Sequence, residues 1–390
     1  MRPSESAPTM KRPSVVWVVP VAAALLLLAT AAASAQPPTA PSPFAAPASG
    51  GDVFTMTNAP SGNAVLAYHI GPGGALIPAG TFPTRGTGTG VSLADQGALA
   101  LTSDHQYLLV VNAGDHSITV FQVHPYGSGP VLSFVDRVAS RGAEPVSLTI
   151  HGSFVYVLNA GTSSTPGNIA GFLLADHGLL LPLPGARQPL STSAPTGPAE
   201  VAFSPSGSVL VVTEKSTSLL DAYPVNARGI AQPPVTTASN GSTPYGFAFT
   251  PSGALVVSDA GPGALSSYSV AANGQITVVS GSVGDGQLAP CWVAIAPGGA
   301  WAFTSNAHSD TLSTYAVTAG GALTLSAAVA ATTGSADTDL AIGGNHGQYL
   351  FVYDAGAPEV QEFAIGAGGT LTPLYGVFSL PPATEGLAAF

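Results

Sequence analysis

The side chains able to do chemistry in this sequence return at one position. An Asn, Asp or Glu closes a short Val/Thr-rich run seven times: Asn58 in MTNAP, Asn112 in VVNAG, Asn159 in VLNAG, Glu214 in VTEKS, Asp259 in VSDAG, Asn306 in TSNAH and Asp354 in VYDAG. A positioned carboxylate can serve as a general base, and Glu214 is the leading candidate, with Asp259 or Glu200 assisting. Clustered carboxylates and carbonyls also suit a hard cation such as Ca²⁺, but the chain has no contiguous ligand loop, so no cofactor beyond that cation is expected. The same residues have a plainer use, since Asn and Asp at strand ends bond the nearby backbone and stop the strand.

Other chemistries find little support. The eight histidines have no metal-ligand spacing on a common element. His116 and His308 follow members of the recurring column, whereas His105, His151 and His346 lie near turns. No G-x-S-x-G elbow is present. The Gly-rich run from Gly86 to Gly90 precedes no helix and does not indicate nucleotide binding.

The recurrence itself predicts the architecture. Successive members of the column are about 45–55 residues apart, the spacing of propeller blades. About nine residues after most of them comes an aromatic: Tyr68, Phe121, Phe172, Tyr223, Tyr268, Tyr315 and Phe363. These read as core side chains between neighbouring sheets. A turn and a further strand follow in most units, as in GPVLSFVDRV, GQITVVSGSV and GALTLSAAVA. Short strands punctuated by 47 Gly and 35 Pro indicate an all-β fold. Four antiparallel strands in each of seven repeats make a seven-bladed β-propeller over residues 52–390. Six units carry an inner strand before their hairpin (ALALTS, VSLTIH, EVAFSP, GFAFTP, WVAIAP, DLAIGG), but the first has none. The C-terminal GLAAF is therefore expected to supply it, pairing with Val53–Thr57 and closing the ring.

Strand direction then gathers the candidates at one mouth of the central channel. The column shares a face with the acids that enter each blade, so Asn58, Asn112, Glu144, Asn159, Asn306, Asp339, Asp354 and Glu385 are expected to line an acidic contact surface, along with Glu200 and Glu214. A small neutral molecule or a protein would meet that surface.

The N-terminus reads as an address. Arg2, Lys11 and Arg12 precede an apolar run from Val15 to Ala32 and an Ala33-Ser34-Ala35 cleavage site. Residues 1–35 form a signal peptide on this reading, and 36–51, rich in Pro and Ala, a flexible linker. A retained membrane anchor is the competing reading, because the run approaches the roughly 20 residues a span needs. Cleavage would leave 19 acids against 6 bases, a net charge of −13. That surface excludes nucleic acid and anionic lipid as partners and suits a soluble monomer in the periplasm or outside the cell. Cys291 is the sole cysteine, so stability comes from the β core, not disulfides.

The run GPAEVAFSPSGSVLVVTE, Gly197 to Glu214, resembles the signature of lactonase-type seven-bladed propellers, the family of bacterial 6-phosphogluconolactonases and fungal muconate cyclases. The sequence keeps the Gly-Pro, the Phe, the Pro and Gly of the turn, and the final Glu214. Ala199-Glu200 stand where the family has Arg-His, and Thr213 replaces its Asn. The resemblance implies a propeller with a possible lactonase activity. With Glu200 in place of a basic pair, it implies a binding or scaffold module with an acidic channel mouth, or alternatively a hydrolase of a neutral lactone using Glu214 as base.

Overall fold

The computed structural model describes residues 50–390, apart from Tyr126, 128–130, Ala194 and Phe378. The expected signal peptide, and all of the expected linker except Gly50 and Gly51, lie outside the described residues. The rest forms seven sheets of four antiparallel strands each, with three single-turn 3₁₀ segments among the described residues.

Residue type explains the layering of each blade. The second strand of a blade lies between two neighbouring sheets and is apolar on both faces. Thus β13 (Val209–Glu214) and β17 (Ala254–Asp259) are buried at every position. The outermost strand has one face in solvent, and β23 (Leu323–Thr332) alternates accordingly. The aromatic column fills the gaps between blades, as the repeats predict: Phe121, Phe172, Tyr223, Tyr268, Tyr315 and Phe363 are all at most 1% exposed. The tyrosines also satisfy their hydroxyls inside. Tyr223 donates to Pro189 O at 3.0 Å, and Tyr315 to Val283 O at 3.0 Å.

The ring closes as expected from the missing first strand. Strand β28 (Glu385–Ala389) is the inner strand of the first blade and pairs with β1 (Asp52–Met56), Val53 opposite Ala389 and Phe54 opposite Ala388. The Phe390 amide donates to Asp52 O at 3.1 Å, and its ring stacks near Phe54.

Inner strands carry a shared irregularity that decides what reaches the channel. In the third to sixth blades the inner strand opens on a proline paired with the column residue of its own blade: Pro145 with Asn159, Pro198 with Glu214, Pro244 with Asp259 and Pro290 with Asn306. A bulge follows at once, as it does after Asp337 in the seventh. Bulges re-aim side chains, and the residues at or just past them are Ser147, Glu200, Gly246, Trp292 and Asp339.

Removing Gly386–Phe390 would strip Val53–Met56 of its inner partner and uncover the core around Leu387. Equilibrium urea unfolding of the truncated chain should show a loss of several kcal/mol. An unchanged midpoint would mean that the ring does not depend on this strand.

Candidate functional site

The column residues do not present a contact surface. Asn58, Asn112, Asn159, Glu214, Asp259, Asn306 and Asp354 are fully buried. Each side chain is used inside the fold, most often to hold a crossover from an outer strand to the next blade. Asn58 Nδ2 donates to Val91 O at 2.8 Å and its Oδ1 accepts from Thr89 N at 2.9 Å. Asn112 Nδ2 donates to Thr119 Oγ1 at 2.9 Å, Asn159 Nδ2 to Ser140 O at 3.3 Å, and Asn306 Nδ2 to Ser313 Oγ at 2.8 Å. Asp354 accepts from Gly334 N at 3.0 Å. The fit is close: a Cβ on Gly142 would lie 2.4 Å from the Asn159 amide carbon.

Glu214 and Asp259 belong to the same set. Glu214 accepts from Ser191 N at 3.0 Å, Ser191 Oγ at 2.5 Å and Thr217 Oγ1 at 2.6 Å. Both of its oxygens are engaged and neither reaches solvent, which corrects the expectation of a carboxylate open to the channel. Asp259 accepts from Ser266 and Ser282, and burial pushes its carboxyl up to about 6. Glu144 is half-buried and sits elsewhere, lining a cavity of about 420 Å³ with Gly161, Thr162 and Ser193.

The structure does bring Glu200, Asp339 and Glu385 together, with Asp95, another blade-entry acid, beside them. The four carboxyls act on one another electrostatically, with Lys215 as the cation among them. Glu200 Oε2 accepts from Phe247 N at 2.6 Å, and Asp339 Oδ2 from Leu387 N at 2.8 Å. In both pairs a carboxyl past the bulge caps an inner-strand amide of the next blade. Ser147 Oγ does the same for Val201 N at 3.2 Å. Gly246 has no side chain to offer, and Gln96 takes over: its Oε1 accepts from Val293 N at 3.0 Å and its Nε2 donates to Val293 O at 2.8 Å.

Gln96 arrives on a segment that the repeats did not reveal. The crossover between the first two blades, from Pro83 to Leu99, has fifteen intervening residues, against four to eight in the others. Its surplus, Ser92–Gly97, enters the channel mouth as a plug. Leu93 N donates to Glu385 Oε1 at 3.0 Å and Gln96 N to Ala199 O at 3.0 Å. Trp292 Nε1 donates to Asp95 O at 2.6 Å. Lys215 Nζ donates to Ala94 O and lies 4.5 Å above the Tyr245 ring. A Cβ on Gly246 would stand 2.1 Å from Gln96 Oε1 and 2.8 Å from Cys291 O, so both the plug and the next blade close on this glycine. Gln96 was missed because nothing in VSLADQG repeats; the length of the crossover was the available signal.

The architecture and the matching sequence now agree on a family. The family described as Lactonase, 7-bladed beta-propeller, matches residues 61–166 and 256–384. The chain belongs to that family. This lactonase-type propeller resembles a solved 6-phosphogluconolactonase described as putative from Bacteroides uniformis (15% identity, 87% of this chain and 99% of that one, TM-score 0.69). A similar one from Bacteroides fragilis has 17% identity, 87% and 98% coverage and a TM-score of 0.67. The periplasmic gluconolactonase PpgL of Pseudomonas aeruginosa has 18% identity, 87% and 98% coverage and a TM-score of 0.65. At such identities the likeness is one of fold. No curated protein matches the chain.

Within this lactonase-type propeller Asp95, Glu200, Asp339 and Glu385 are buried together. Burial pushes Asp95, Glu200 and Asp339 far above the usual carboxylate range and Glu385 up to about 7, while it lowers Lys215 to about 8. Among the described residues no group of three or more His, Cys, Asp or Glu is arranged to hold a metal ion. His116 accepts from the Glu144 amide at 3.0 Å and has no part in the cluster.

A carboxyl whose folded value is raised contributes stability that is present below its ordinary pKa and lost as pH rises through the raised value. For Glu385, ordinarily 4.5 and here about 7, the loss is on the order of 3 kcal/mol across that window. The unfolding midpoint should therefore fall as pH rises from about 4.5 to about 7, and Glu385→Gln should flatten the fall. A wild-type midpoint that rises across this window would contradict the burial of these acids as protonated groups.

Proposed function

We propose that this chain is an exported lactonase-type propeller that works as a binding or scaffold module, with the acidic, plugged channel mouth as its contact site for a small neutral molecule or a protein. The observation that carries this reading is the occupied mouth. The plug fills the mouth, and Lys215, the cation at hand for an oxyanion, is already engaged by Ala94 O and Pro198 O. Opening a lactone needs a base for water and donors for the oxyanion, and a phosphorylated sugar also needs Arg or Lys for its phosphate. Glu200 stands where a basic pair would receive that anion. Two arginines have other uses: Arg85 stacks on Phe134, and Arg137 pairs with Asp115 at 2.6 Å. The N-terminal Arg/Lys, apolar and A-x-A pattern supports export, and the P. aeruginosa neighbour is described as periplasmic.

A second reading, hydrolysis of a neutral lactone with a carboxylate base, draws on family membership. Glu214, with Glu200 or Asp259 assisting, remains its candidate base, and Glu214 would have to leave Ser191 and Thr217 to act. Incubating the leaderless protein with neutral sugar lactones and acyl lactones, beside Glu214→Gln and Glu200→Gln, separates the two. No turnover is expected. Turnover that either variant abolishes would replace the binding reading with the hydrolase.

A further inference from the structure

Asp95 is the ionisable group in the channel least provided for. Both of its carboxyl oxygens are buried without a hydrogen-bond partner, and the residue is 2% exposed. Its neighbours in the cluster each accept at least one backbone amide: Glu200 from Phe247, Asp339 from Leu340 and Leu387, Glu385 from Leu93. Those three belong to inner strands, while Asp95 rides on the plug. Every element around it carries a charged or titratable group. Glu385 comes from β28, Asp339 from β24 (Asp337–Gly343) and Glu200 from β12 (Pro198–Phe203). Lys215 follows β13, and Tyr245 and Cys291 lie on β16 (Pro244–Phe249) and β20 (Pro290–Ile295).

We propose that Ser92–Gly97 is a proton-gated plug, seated while Asp95 is protonated and released from the channel mouth when Asp95 ionises among Glu200, Asp339 and Glu385. Ionised, Asp95 faces three carboxyls and one lysine in a buried pocket. No hydrogen bond holds that charge in place, and lifting the segment returns it to solvent. Apart from the contacts of Leu93 N with Glu385 and of Lys215 with Ala94 O, the remaining ones (Gln96 with Val293 and Ala199, Trp292 with Asp95 O) are indifferent to pH and keep the neutral form seated. The sign follows from burial. A carboxyl raised by seating favours the seated state at low pH and opposes it as pH rises through the raised value. Burial and the neighbouring carboxyls raise Asp95 well above the usual carboxylate range, and Lys215 opposes that rise. The plug therefore seats less firmly as pH rises above the ordinary carboxylate range. It is a bistable element biased by a local charge, and it does not depend on what the opened channel receives.

Hydrogen exchange tests it on the full chain, with amide protection corrected for the intrinsic pH dependence of exchange. One pK unit of linkage corresponds to about a tenfold change, so protection of the peptide covering Leu93–Gly97 should fall at least about tenfold between about pH 5 and about pH 8. Peptides from β13 and β17 should keep theirs. Asp95→Asn should hold the plug peptide protected throughout. Glu385→Gln, which removes one opposing charge and so lowers the raised value of Asp95, should make the fall smaller. Cys291 is the sole thiol and lies close enough to Lys215 to feel its charge, so a neutral maleimide at about pH 8 should label it faster in wild type than in Asp95→Asn. Plug protection that is independent of pH, an equal fall in wild type and Asp95→Asn, or a fall shared by β13 and β17 would each overturn the proposal.

Discussion

Seven sheets arranged as a ring turn the free edge of each inner strand toward a narrow channel, and the amides along that edge must be hydrogen-bonded to something. Much of the channel chemistry answers that requirement. Ser147, Glu200 and Asp339 stand just past a bulge and each meets an amide of the following blade. Acids in a channel mouth invite a catalytic interpretation. Here two of the four cap strand edges, which is a reason for their presence that needs no substrate.

The plug is part of the same solution. Gly246 lacks a side chain to cap Val293, and Gln96 supplies the cap from the far side of the channel. The absent side chain also makes the room in which Gln96 sits. Placing the segment there brings Asp95 among three other carboxyls, so a requirement of backbone hydrogen bonding creates an unfavourable charge cluster. Raised pKa values are the consequence, and a protonated Asp95 is compatible with the seat where an ionised one is not.

Much of this was legible in the sequence because it repeats. The Asn/Asp/Glu column and the aromatic column fixed the register of seven units, and the first unit's lack of an inner strand pointed to GLAAF at the far end. Asn58 and Glu214 could be placed at strand ends, and strand direction assigned them to the channel mouth; their use in holding crossovers was hidden, since that depends on how the chain passes from blade to blade. Glu200 was visible as a departure from the family pattern, whereas its contact with Phe247 N is a relation between blades that no local pattern encodes. Ser92–Gly97 occurs once, so no comparison between repeats could expose it; only the unusual length of its crossover marked it.

The dependence of the plug on the missing side chain at Gly246 is the point on which the account can be tested most directly. Gly246 adopts a backbone conformation open to any residue, so Gly246→Ala adds only a methyl group, and that methyl would stand 2.1 Å from Gln96 Oε1 and 2.8 Å from Cys291 O of the next blade. Limited proteolysis at mildly acid pH, read by mass spectrometry, reports whether the plug is seated. The account predicts new cleavage within Ser92–Gly97 in Gly246→Ala while the remaining blades stay resistant. A variant as resistant as wild type throughout would contradict it.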